Sequence, residues 1–330
     1  MKKMLLLIFG LLAVGLVFFY YAQSPNLDEA DHNSVRKYNG EVAGATDTLT
    51  VMTFNIGYLS GMTNNIPVDR PKVLLEKNLK AAIELIGNVN PHIVGFQEID
   101  FGSARSFYVH QLDSIATSLK YAASYQSVNW DKSYVPFPYW PPSAHFGEMV
   151  SGQAILSRFQ IAETNTTVLQ KPINAPLHYK LMYLERLIQV AQVKIGGHEW
   201  TIMNVHLEAF DEETRVAQAH VVKAAFNELS EKGPVLLIGD FNSRPDFEST
   251  SNEAMKVLMQ SNRIASAITK AMYEDNPSGH YTFSTAEPYQ MIDYLFYNSN
   301  FVECLGARVV AEAGEISDHL PLVGSFRRIQ

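Results

Sequence analysis

The sequence predicts an α/β domain with a sizeable core, carried behind an apolar amino-terminal helix. Three observations predict it. Short apolar runs of strand length alternate with stretches whose apolar residues recur at helical spacing. Of the 330 residues, about 280 follow the amino-terminal region, and 47% of the chain is hydrophobic while only 18% is charged. That is enough for one large two-sheet or α/β domain and far from a disordered composition. The third observation is the opening, "MKKMLLLIFGLLAVGLVFFYYAQ".

Lys2 and Lys3 precede an uncharged stretch from Met4 to Ala22, 19 residues long. About 20 apolar residues span a bilayer as a helix. A cleaved signal has a shorter apolar core and a small-x-small site just after it. "YYAQS" offers none, and Ala43-Gly44-Ala45 lies too far downstream. With no cysteine near this end, lipidation is excluded. Residues 1–22 are therefore expected to be an uncleaved membrane anchor, with the lysines cytoplasmic and the remainder extracytoplasmic. Cleavage would instead give a secreted protein. Residues 23–47 are polar and aperiodic and read as a flexible linker. Regular structure is expected from Thr48, in a single domain over 48–330.

Within that domain, apolar runs end in polar side chains. "LTVMTFN" ends in Asn55, "HIVGFQE" in Gln97 and Glu98, and "WTIMNVH" in Asn204 and His206. "VLLIGDFN" ends in Asp240 and Asn242, "MIDYLFY" contains Asp293, and "ISDHLPLVGSF" sets Asp318 and His319 before the last strand. Helical spacing marks "RPKVLLEKNLKAAIELIGNV" and "DEETRVAQAHVVKAAFNEL", the second with acids in its first turn, where the helix dipole favours them. Residues i and i+2 of a strand face one way, so Asp240 pairs with Asn242 and Asn204 with His206. Six polar strand ends predict one edge of the fold where distant parts of the chain gather polar groups.

The gathered set is Asn55, Glu98, His206, Asp240, Asn242, Asp293, Asp318 and His319. Such oxygen-rich sets suit Mg²⁺, Mn²⁺ or Ca²⁺ rather than zinc. A hard cation with histidine acid/base groups fits hydrolysis at phosphorus. The lone cysteine, Cys304, lies in a strand-like run and reads as a small apolar side chain.

In order, "TFNIG", "FQEID", "NVHLE", "GDFNSRP", "MIDYLFY" and "SDHLPL" resemble the endonuclease/exonuclease/phosphatase superfamily over residues 48–328. The resemblance implies a four-layered α/β sandwich, two packed mixed β-sheets flanked by helices, and metal-dependent cleavage of phosphoric esters. It implies Glu98 as principal metal ligand with Asn55 beside it and Asp318 near the metal. It implies His319 as general base oriented by Asp293, and Asp240 aligning water or a second metal. Asn242 would donate to phosphoryl oxygens, and His206 would contact the phosphate or assist the leaving group. Repair endonucleases of the family tend to read Asn-x-Asp where this chain has Asn55-Ile56-Gly57, and tyrosine where it has His206. The histidine form looks more like the sphingomyelinase and secreted deoxyribonuclease branches.

Each motif also has a plainer reading. Asp and Asn favour turns after strands, and only the six-motif order outweighs that for Asp240 and Asn242. Asn204 reads better as a backbone hydrogen-bonding group inside the sandwich than as a catalyst. Arg186 reads equally as a phosphate clamp and as a strand-edge salt bridge. "NWDKSYVPFPYWPPSAHFGEMVSGQAILS" crowds six aromatic rings among four prolines. It reads as a stiff loop whose rings bury one another, or as a surface for nucleobases or a membrane interface. Trp130, Tyr139, Trp140 and His145 are its candidate substrate contacts. The formal charge of −8 disfavours nucleic acid, which usually meets a basic surface. A Mg²⁺-dependent hydrolase of a lipid or small-molecule headgroup ester, with no protein partner, is the leading expectation. A secreted-type nuclease and an inactive binding module are the alternatives.

Overall fold

A computed structural model describes residues 1–64, 66–247 and 253–329. Among them are thirteen strands in two sheets. One sheet holds β1 (Asn33–Lys37), β2 (Leu49–Asn55), β3 (Ile93–Asp100), β4 (Ala123–Val135), β5 (Gly147–Ser157), β12 (Val302–Val309) and β13 (Leu322–Arg328). Its order is β1-β4-β5-β3-β2-β13-β12. The other holds β6 (Ile161–Val168), β7 (Leu187–Ile195), β8 (His198–His206), β9 (Val235–Asp240), β10 (Ala265–Ser266) and β11 (Asp293–Tyr297), in the order β10-β11-β9-β8-β7-β6. The helices are α1 (Lys2–Gln23), α2 (Lys72–Val89), α3 (Gln111–Ser118), α4 (Leu177–Met182), α5 (Glu212–Leu229), α6 (Glu253–Met259) and α7 (Lys270–Asp275).

The two long predicted helices form where the spacing places them. α2 starts after Pro71 and stops at Asn90, whose φ of 52° is a left-handed cap that Asn tolerates. α5 is capped by Asp211, which accepts from the Thr214 amide. Leu75, Ala82 and Ile86 of α2 join Met52, Phe54, Val94 and Phe96 in a core on the outer face of the first sheet. Val222 and Phe226 of α5 join a larger core cluster that continues between the sheets through Val51, Ile155, Ile202 and Ile238. The result is helix, sheet, sheet, helix, the sandwich the sequence predicts.

Pairing explains why strand tips meet. β2 and β3 are parallel, and so are β8 and β9, with His206 level with Asp240. Their carboxyl ends therefore share an edge. β11 is antiparallel to β9 with Asp293 opposite Asp240, so its first residue sits at that edge. β13 is antiparallel to β2 with Leu322 opposite Thr53, which brings Asp318 and His319 there too.

Regular structure begins earlier than Thr48, correcting the expected extent of the linker. β1 pairs antiparallel with β4 from Asn33 opposite Ser127 to Lys37 opposite Ala123. Its side chains are exposed or half-buried throughout, so no hydrophobic period announces it. Backbone bonding to an edge does the work that burial does elsewhere. Cys304 is half-buried in β12 and burial pushes its thiol up, which leaves it unreactive.

Candidate active site

The eight residues gathered by sequence reasoning meet at the shared edge. Asn55 is buried at the tip of β2 and donates to Asp240 Oδ2 at 2.9 Å, with His319 Nε2 at 3.5 Å. His319 Nδ1 lies 2.9 Å from Asp293 Oδ2, and His319 Nε2 lies 3.8 Å from Asp240 Oδ2. His206 Nε2 is 3.4 Å from Asp240 Oδ2 and 3.9 Å from Glu98 Oε1. Asp240, Asp293, His206 and His319 are all buried.

Backbone geometry aims these groups. Gly239 has φ 144°, and a Cβ there would lie 2.0 Å from the Val205 carbonyl oxygen. Only glycine lets β9 approach β8 this closely just before Asp240. Asn242, at φ 48°, turns away from the strand. Its amide N–H donates to Asp240 Oδ1 and its Nδ2 donates to the Leu207 carbonyl at 2.9 Å. Glu98 has φ 52°, and the β3–β5 register shifts between Phe96 and Ile99. This bulge re-aims Glu98 out of the sheet and toward the cleft. Gly57 has φ 51°, and a Cβ there would fall 2.7 Å from Ser317 Oγ and 2.8 Å from Asp318 Oδ1. An aspartate cannot occupy this position without moving the Asp318 loop, which is the physical meaning of Asn-x-Gly in the first motif. Ser317 ties that loop down, donating to the Asn55 carbonyl and accepting from the His319 amide. The Phe283 ring packs against His319 in a tilted arrangement, with ring centres 5.0 Å apart.

Asn64 was not singled out by the sequence. Its Nδ2 is 3.0 Å from Glu98 Oε2 and 3.3 Å from Asp318 Oδ1. It therefore bridges two carboxylates that come from separate motifs. Arg186 is the residue that the sequence left between a phosphate clamp and a strand-edge salt bridge. It lies just before β7, is 4% exposed, and its Nε is 3.7 Å from Glu208 Oε2. Tyr183 also donates to Glu208 Oε2. The Arg186 Nε and Nη1 groups have no hydrogen-bond partner among the described residues. Arg186 is a buried cation that pairs with Glu208 beside β7, as its strand-edge salt-bridge reading expects, and it also keeps spare donors. Asn204 is fully engaged inside the sandwich, donating to the Phe96 carbonyl and Gln189 Oε1 and accepting from Gln97. Its reading as a structural amide holds.

Burial dominates the electrostatics. It pushes Asp240 up to about 7, with Asp293 adding to the rise and His319 opposing it. Glu98 is raised by burial and by the neighbouring Asp318. His206 is held well below its ordinary value by burial, Arg186 and His319, so it is neutral. Burial acts to lower His319, but Asp293 and Asp240 outweigh it and hold the ring up at about 10.

The aromatic loop follows β4. Phe137 and Phe146 pack at 5.3 Å, with Val135, Met149, Trp130 and Met182 around them, so the base of the loop is a small core. Trp130 Nε1 donates to the Met182 carbonyl. His145 contacts the Tyr134 hydroxyl at 2.7 Å and the Tyr139 carbonyl oxygen at 3.3 Å. The polar atoms of Trp130 and His145 are thus engaged within the loop and its α4 neighbour. Tyr139 and Trp140 are 74% and 76% exposed.

Comparison with known proteins agrees with the fold. Residues 52–319 match the Endonuclease/Exonuclease/phosphatase family. No curated protein matches the chain. Among solved structures, an endonuclease/exonuclease/phosphatase from Beutenbergia cavernae DSM 12333 superposes with a TM-score of 0.61 at 19% identity, covering 86% of this chain and 72% of that one. The human Nocturnin catalytic domain with bound sulfate anion gives 0.58 at 18%, covering 90% and 98%. Truncated Caenorhabditis elegans TDP2 gives 0.57 at 18%, covering 85% and 97%.

Proposed function

Because the chain belongs to the Endonuclease/Exonuclease/phosphatase family, we propose that its cleft hydrolyses a phosphoric ester with one bound divalent cation and His319 as general base. One observation carries this reading. His319 is gripped by Asp293 at one ring nitrogen while the other faces Asp240, and Glu98 with Asp318 lies beside them. The members of the family are metal-dependent phosphoesterases.

The donor set fits a hard dication. Glu98 and Asp318 converge on one Asn64 amide, and Glu98 is raised because burial and Asp318 both penalise its charge. Two carboxylates so placed are stabilised by positive charge between them. Glu98 and Asp318, with Asn55, would hold the ion, Mg²⁺ first and Mn²⁺ or Ca²⁺ as substitutes. When bound, it offsets phosphoryl charge and acidifies water. Asp240, Asp293 and His319 also offer ligand atoms within 4.8 Å of one another, but Asp293 is committed to the imidazole. We read those three as the proton-handling set.

The protein's own groups then divide the work. Asp293 accepts from His319 Nδ1–H and orients the ring; with a bound cation offsetting the carboxylates that hold the ring protonated, Nε2 would be free to take a proton from the attacking water. Asp240 orients that water. Asn242 keeps one amide hydrogen for a phosphoryl oxygen, the other being bound to Leu207. Neutral His206 donates from Nε2 toward the same region. Arg186 presents its unpartnered donors to the developing anion, where guanidinium geometry suits a phosphoryl group.

The substrate is proposed to be a lipid or small-molecule headgroup ester. Two features support this over nucleic acid: the charge of −8 and α1, whose apolar surface is exposed and long enough to cross a bilayer. We place the anchor at residues 1–22 and the domain outside the cytoplasm. The test is a Mg²⁺-dependent screen of purified full-length protein over phospholipids, inositol phosphates, DNA and RNA. Turnover of a headgroup ester, lost in His319→Ala, supports the reading. Preferential cleavage of nucleic acid would favour a nuclease. Inactivity on every class would favour a binding module.

A further inference from the structure

The aromatic loop and α1 are one mechanical unit. The carbonyl of Ser24 accepts from the Ser133 amide at 2.8 Å, and the two serine hydroxyls meet at 3.0 Å. Asp131 receives Asn26 N at 2.7 Å, Leu27 N at 3.0 Å and His32 Nε2 at 3.0 Å. Lys132 Nζ reaches the Gln23 carbonyl. Helix, clamp and β4 are thereby held in register, and the loop leaves the same strand four residues after Asp131.

Their relative depth follows from a ring contact. Phe18 of α1 meets Tyr134 of β4 at 5.6 Å, edge to face. Phe18 lies four residues before Ala22, the end of the uncharged stretch. At 1.5 Å per residue that is roughly 6 Å inside the apolar segment. A bilayer crossed by α1 therefore reaches the level of Tyr134. Beyond Tyr134 the prolines at 136, 138, 141 and 142 stiffen the chain, and the loop exposes Tyr139 and Trp140. These are the ring types that favour the headgroup layer. The apolar rim continues toward the cleft. Tyr179 of α4 lies 5.5 Å from the Tyr183 ring, whose hydroxyl donates to Glu208. Leu177 is 72% exposed, and Phe210, whose amide donates to Glu208, is 86% exposed. Glu208 is the partner of Arg186.

We infer that Tyr139 and Trp140 insert into the outer headgroup layer of the membrane that α1 crosses, so that the catalytic cleft is held facing lipid headgroups. Two contacts with one bilayer, a span and a wedge, fix orientation as a span alone does not. The inference rests on α1 being an anchor, as proposed above.

The experiment uses full-length protein reconstituted in nanodiscs of phosphatidylcholine, with or without bromine on the acyl chains close to the headgroup. The chain has three tryptophans, and none lies in α1. Trp200 is buried in the domain core. Brominated discs are expected to quench the wild-type fluorescence, and Trp140→Phe is expected to lose most of that quenching. Equal quenching of wild type and Trp140→Phe, or none in either, overturns the inference while leaving the anchor standing, since the protein still co-purifies with the discs. Failure to co-purify overturns the anchor and the inference together. Quenching of Trp140 by a single-stranded oligonucleotide, without any by bromolipid, also overturns it and makes the rim a nucleobase platform.

Discussion

The cleft and the aromatic loop treat water in opposite ways. At the cleft, strand ends drive carboxylates and imidazoles into the interior, and Glu98, Asp240, His206 and His319 are shifted by burial and by their neighbours. At the loop, two large rings stand in the open above a small core of their own. One region stores unfavourable polar burial inside a rigid frame. The other leaves favourable apolar burial undone. The first is the arrangement a charged reaction needs, because preformed groups strengthen when water is excluded. The second is the arrangement a surface needs to recruit something apolar.

If that contrast is right, substitutions in the cleft should abolish turnover with little loss of fold, and substitutions in the rim should touch neither. The largest effect is expected from the general base. His319→Ala should cut turnover by roughly 10²–10⁴-fold, read in steady-state assays at saturating Mg²⁺. Arg186→Met should follow at about 10²–10³-fold if its free donors meet the developing anion, with the loss in kcat rather than KM. A change in KM alone would make it a ground-state contact. Glu98→Gln should also lose activity, yet the metal-free variant should melt no lower than wild type, because a buried carboxylate beside Asp318 has been removed.

A fourth expectation concerns pH. The folded values of Asp240, about 7, and of Glu98, raised, lie above those of an unfolded carboxylate. The stability they contribute is present when both are protonated and lost as pH rises through those values. A dication held by Glu98 and Asp318 favours the ionised forms of Glu98 and, from nearby, of Asp240. Mg²⁺ at about 100 times its dissociation constant should add ~2.7 kcal/mol, and the gain in Tm should be fullest above pH 7 and shrink as pH falls below it. A shift independent of pH would separate the cation from these two acids. The smallest effect is expected at the rim, where Tyr139→Ser and Trp140→Ser should each change stability by no more than about 0.5 kcal/mol in detergent.

What the sequence disclosed follows the same divide. The eight cleft residues were legible because each lies in or beside a strand-like apolar run, and a strand's period fixes which way its side chains point. Parallel pairing of β2 with β3 and β8 with β9 then needed only to be assumed for them to meet. Asn64 was not legible as a site residue, and the sequence left Arg186 undecided between a phosphate clamp and a strand-edge salt bridge. Asn64 meets Asp318 across 254 residues of chain, and no local pattern encodes that. Arg186 gains its meaning from burial beside Glu208, which only the packed sandwich supplies. β1 escaped notice because an exposed edge strand has no hydrophobic signature. The clamp of residues 24–32 on Asp131 likewise joins positions about a hundred residues apart. The aromatic loop was recognisable as unusual, but its division into a packed base and two free rings was not, since composition does not say which rings find partners.

The central claim is that remote strand ends form one catalytic unit in which Asp293 acts through His319. A double-mutant cycle on the Mg²⁺-loaded protein addresses it directly, comparing Asp293→Asn, His319→Ala and the pair. Asp293→Asn should lower turnover on its own and cost nothing more once His319 is gone. Losses that simply multiply would mean the two residues work apart, and the single-centre account would fail.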